Sequence, residues 1–219
     1  MFTRSTITGA LALLAAPILV ITATLVQPTL SGDAAKQVSA LTDHRGAMIT
    51  AIALGLIAVV LLIAGIIWLA LTLAPRVPRL AVVGGVLGVF GLLVVLFENA
   101  VTAAAPAIVG TLDRAQAATV LDRIHSGAIS ALEPLALAGD IGIALLGIAV
   151  VKAGAPRWTA AAIAIGALGE GAGFATSSKA LVIGSFALLF VGLLAAVRTL
   201  ATSPSPRLTP AGAEAAAVS

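Results

Sequence analysis

The chain contains no cysteine and no tyrosine, and aromatic residues make up only 4% of its 219 positions. Without a thiol there is no disulfide framework, no thiolate metal site and no cysteine nucleophile, so cysteine usage is silent about redox compartment. Charged residues are nearly as scarce, 10% against 60% hydrophobic, a balance that does not fit a soluble protein. The net charge of +3 comes from residues spread singly, with no basic cluster, and nucleic acid is not an expected partner. Cofactor, nucleotide and catalytic signatures are missing as well.

What is present is long apolar sequence. Gly46 to Leu73 runs for 28 residues without a charge, and about 20 suffice for a helix to cross a ~30 Å hydrocarbon core. The fold class expected is all-α, a polytopic transmembrane helix bundle of about six spans, near residues 7–26, 46–73, 80–101, 126–151, 158–176 and 181–197. Together they form one transmembrane domain over 1–198. The first apolar stretch exceeds the about 7 to 15 residues of a signal peptide and leads into Gln27 and Pro28 without a cleavage site, so it reads as an uncleaved span. The remaining 199–219, rich in Ser, Pro and Ala, reads as a disordered cytoplasmic tail.

Two polar interludes, Ser31 to Arg45 and Thr111 to Arg123, carry apolar residues at helical spacing. They predict two short helices lying along the external membrane surface, the first capped by Ser31. Tight turns with Arg76 and Arg79, then Lys152 and Arg157, hold positive charge and no acid. By the positive-inside rule these turns, and with them both termini, are cytoplasmic, in a multi-pass protein of the cell membrane. Trp68 and Trp158 then sit at the cytoplasmic interface.

A gapless shift of 81 residues lays His44, Gly46 and Ala47 on His125, Gly127 and Ala128, and Ala74, Pro75 and Arg76 on Ala155, Pro156 and Arg157. The histidines are the only two in the chain, and each stands where an interlude ends and a span begins. The implied unit is a span, a surface helix and a second span, used twice in parallel and followed by a plain hairpin.

Acids inside spans demand a reason, since one at the bilayer centre costs about 3 kcal/mol on insertion scales. Glu133 and Asp140 are seven residues apart and share a helix face. At ~1.5 Å per residue they lie about 10 and 20 Å below the outer surface, and Glu170 lies about 9 to 12 Å below it. Pro134 leaves the Ser130 carbonyl without its usual donor. Glu170 sits in a run of small residues from Gly166 to Gly173 that admits close helix approach. Glu133 and Glu170 are expected to face each other with Asp140 deeper on the same path, a protonatable or cation-attracting site. The opposing reading makes each acid a hydrogen-bonded packing residue.

Weaker candidates are Glu98 and Asn99, placed close enough to a span end to reach the interface, and the two histidines. His44 and His125 suit a metal or a haem in principle, but two imidazoles beside Asp43, Arg45, Asp122 and Arg123 are better explained as wet helix starts with local ion pairs. No metal and no cofactor is therefore assigned. Gly84, Gly85, Gly88 and Gly91 form a small-residue face suited to helix packing. Ala138, Gly139 and Asp140 depart from the glycine-x-glycine-aspartate of intramembrane aspartyl proteases at Leu137, and no protease activity is expected.

Three functions follow in order: a small-solute or ion permease, proton-linked through the intramembrane acids; a non-catalytic accessory or structural membrane subunit; and an enzyme using a buried carboxyl as general acid. Membrane lipid is the expected partner, with a homo-oligomer or a larger membrane complex compatible with the same sequence.

Overall fold

The computed structural model describes residues 4–28 and 34–202, without the side chains of residues 4–6, 34–37, 125, 128 and 133. The expected Ser31 cap and the tail beyond Thr202 lie outside the described residues. Every described element is helical: α1 (Arg4–Val26), α2 (Ala34–Asp43), α3 (Arg45–Leu73), α4 (Pro78–Thr102), α5 (Ala105–Thr111), α6 (Arg114–Ile124), a π-helical turn (His125–Ile129), α7 (Ser130–Lys152), α8 (Arg157–Ala175) and α9 (Lys179–Thr202).

Apolar length produces these helices and local chemistry ends them. Pro78 and Pro106 occupy first-turn positions where no amide donor is needed, and Asp113 caps α6, its Oδ1 accepting from the Gln116 amide at 2.8 Å. Helix α7 closes on Gly154, whose φ of +112° suits glycine, with Ala155 N donating to Val150 O and Gly154 N to Val151 O. The same pair of bonds closes α8, where Ser177 takes the left-handed position at φ 51°.

Among the described residues five helices are long and apolar enough to cross a membrane: Ile7–Val26, Arg45–Leu73, Pro78–Thr111, Pro134–Lys152 and Lys179–Thr202. The other expected span, α8, is not among these five, because Glu170 and four glycines dilute its 19 residues. It is nevertheless packed between α7 and α9. In chain order α1, α3, α4, α7, α8 and α9 form an antiparallel ring that α9 closes against α1. Leu11, Leu25, Leu71, Val86 and Ile165 are exposed on its outside, an apolar surface suited to lipid.

The ring has two unlike ends. At the end bearing the 74–77 and 153–156 turns, Leu13, Leu69, Leu73, Leu146, Ile163 and Leu189 are fully buried in one core. At the other end α2 packs on α5 and α6 over a small second core that includes Val38, Leu41, Ala117 and Leu121. The two interlude helices thus pair with each other, and α5 precedes the expected second one.

Glycine sets the tightest seam. Added Cβ atoms at Gly84, Gly91 and Gly142 would run into the facing backbone of α7 or α4, so these two helices touch backbone to backbone. The gapless 81-residue shift does not carry over to such contacts. Gly65 meets Leu13, whereas Leu146, 81 residues on, meets Gly84 and not Val94. Among the described residues α4 and α7 are joined through α5, α6 and the π-helical turn, whereas α1 and α3 are joined through α2.

Candidate functional site

The last turns of α4 place Val95, Glu98, Asn99 and Thr102 at i, i+3, i+4 and i+7, one stripe of a helix. Asn99 Nδ2 donates to Val95 O at 3.0 Å, which fixes the amide against its own helix, while Oδ1 points toward α3, 3.9 Å from where a Cβ on Gly55 would stand. Thr102 Oγ1 donates to Glu98 O at 2.9 Å. Glu98 Oε1 is shielded from solvent, and the residue lines the cavity between α4, α7 and α8.

The α4–α7 glycine seam brings in the second acid. Gly139 lies on Gly91, and Asp140 is the next residue of α7. On the far side Gly147 packs against Ile163 of α8. Counting along antiparallel helices from that contact sets Asp140 level with the Ala167 to Gly171 stretch, and a Cβ on Gly171 would sit 4.0 Å from Asp140 Oδ2. The α7 residue facing Glu170's segment is therefore Asp140, where the sequence placed Glu133. This register follows from the Gly147–Ile163 contact and not from counting inward from the span starts; residues 125–129 form a π turn ahead of α7. The Glu133 backbone stands two helical turns nearer that π turn, and its side chain lies outside the described residues.

Within α8 the small residues divide between two faces. Gly166, Gly169 and Gly173 approach Leu189, Ser185 and Val182 of α9, leaving Glu170 and Gly171 to face the interior. Glu98, Asn99, Thr102, Asp140 and Glu170 thus converge from three helices on one cavity of about 430 Å³. A smaller cavity of about 180 Å³ shares Asn99, Thr102, Glu170 and Phe174 and extends to Thr24 of α1 and Phe186 of α9. Among the described residues no lysine, arginine or histidine lines either one. Lys179 Nζ donates to Gln27 O and ties α9 to the end of α1.

When both are ionised, Asp140 and Glu170 repel each other across the larger cavity. Among the described residues no three His, Asp or Glu side chains group closely enough to hold a metal ion. His44 is exposed at the start of α3 and away from the cavity; the side chain of His125 lies outside the described residues. Sequence reasoning missed Thr102 and Thr24, although the four-residue stripe on α4 was there to be read. No protein-family model, curated protein or solved structure matches this chain.

Proposed function

We propose that the chain is a multi-pass integral membrane permease for protons or a small cationic solute, with α8 as a sixth span and the Arg76 and Lys152 turns in the cytoplasm. The observation that carries this reading is the convergence of Glu98, Asp140 and Glu170 on one cavity inside an otherwise apolar ring. Acids at membrane depth mark ion pathways and proton relays. The cavity lies in the half of the ring near α2 and α6, whereas the opposite half is packed with leucine and isoleucine. That asymmetry matches one state of an alternating-access cycle, open to one side and sealed to the other.

A duplicated origin fits the same reading. Relating α3 to α7 by 81 residues and α1 to α4 by 71 turns the Leu13–Gly65 contact into the Gly84–Leu146 contact, with α5 taking up the difference. Parallel repeats of this kind occur in transporters.

The test is proton flux in proteoliposomes holding the purified chain, read by an enclosed pH dye under an imposed potential. Asp140→Asn and Glu170→Gln are each expected to abolish flux while Glu133→Gln retains part of it. Full flux in both cavity variants would sink the proposal.

A further inference from the structure

On the outside of the ring, α3 and α4 border an apolar groove of about 430 Å³ whose floor is made of Ala70, Ala74, Ala81 and Gly85. One wall is Val82, Val86 and Phe90, a stripe along α4. Extending that stripe three residues past Val82 reaches Arg79, which is exposed in the first turn of α4. From Val82 to Leu93 the groove is about 16 Å long at ~1.5 Å per residue, about one leaflet of a ~30 Å hydrocarbon core.

We infer that this groove holds one acyl chain of an anionic phospholipid whose phosphate pairs with Arg79. Charge complementarity decides the occupant. The end of the ring that Arg79 occupies also carries Arg76, Lys152, Arg157 and Arg198, and every acid among the described residues lies nearer the other end or in the cavity. A second copy docked about an axis along the membrane normal would bring two such basic ends together, and like charges oppose that pairing. An anionic headgroup neutralises the same charge, and basic residues at a lipid surface gain about 1 kcal/mol each from anionic lipid.

The full-length chain, released from detergent micelles into native mass spectrometry, is titrated with phosphatidylglycerol and with phosphatidylcholine of the same acyl chains. One phosphatidylglycerol per chain is retained where phosphatidylcholine is lost. Arg79→Gln weakens retention about fivefold, the equivalent of about 1 kcal/mol. Val86→Trp, which fills the groove from its exposed wall, weakens it as well. Arg157→Gln removes a charge from the same end away from the groove and leaves retention unchanged. Equal retention of the two lipids, or an equal loss in Arg157→Gln, overturns the inference. Displacement of the lipid by inorganic phosphate overturns it in favour of a free-phosphate site. Disulfide dimers of Val86→Cys, the sole thiol in that variant, overturn it in favour of a second copy.

Discussion

Replacing Gly142 by alanine tests whether the α4–α7 seam is as close as its glycines require. A Cβ there would enter the backbone of Gly88 and stand 2.7 Å from the Gly84 carbonyl oxygen. Restoring an ordinary 3.4 Å contact parts the helices by about 0.7 Å at Gly84 and by more at Gly88. Both obstacles are backbone, so neither can swing aside as a side-chain tip would. Overpacking of this kind costs about 1–3 kcal/mol and sometimes more. The control is Gly184 of α9, where a Cβ meets nothing within 4 Å. Alanine there gains helix propensity worth up to about 1 kcal/mol. The two variants should therefore differ by about 1–4 kcal/mol with opposite signs, read from reversible unfolding in mixed micelles. If Gly142→Ala unfolds with the wild type, or Gly184→Ala loses as much, the backbone-to-backbone seam is wrong.

Three further outcomes follow from the same geometry. Because the chain lacks cysteine, Asn99→Cys in the cavity wall should react with a water-soluble thiol reagent at least about tenfold faster than Leu189→Cys in the closed core, and equal rates would refute an open cavity. Thr159 is fully buried, and its Oγ1 has no hydrogen-bond partner among the described residues. Thr159→Val should raise unfolding stability by about 1 kcal/mol, and a loss would reveal a partner for the hydroxyl. Gly154→Ala forces a side chain into φ +112° and should cost about 1 kcal/mol or more in the same unfolding assay, with no change pointing to a different turn.

Hydrophobic length made the helices legible, and proline, arginine and glycine marked most of their ends. A span was expected over 46–73, and helix α3 covers Arg45–Leu73. Glycine faces on α4 and α8 were readable as packing surfaces, because small residues at helical spacing have few other uses in an apolar segment. Their partners were not readable. The α8 glycines meet α9, and only their rotation about the axis turns Glu170 toward Asp140. Seven-residue spacing put Glu133 and Asp140 on one face of α7, but which acid meets Glu170 depends on interhelical register, and register depends on contacts distant in sequence such as Gly147 with Ile163. The cavity position of Glu98 was hidden for a related reason. Nearness to a helix end suggested the interface, whereas the turn of α4 that carries it faces the ring's interior.

The arrangement of the seams bears on how such a cavity would work. Glu98 and Asp140 sit on α4 and α7, which glycine locks together, so the spacing between these two acids is fixed by backbone contact. Glu170 sits on α8, which is tied through its own glycines to α9 and bounded by left-handed turns at Gly154 and Ser177. The three carboxyls therefore belong to two rigid pairs of helices, with the cavity across the seam between them. Any sliding of the α8–α9 pair against the α4–α7 pair changes the distance from Glu170 to Asp140 while leaving Glu98 and Asp140 in place. Like charges resist closing that gap, and a proton or a bound cation removes the resistance. On the permease proposal, occupancy of the cavity is coupled in this way to the α7–α8 seam, which also carries the packed Leu146 and Ile163.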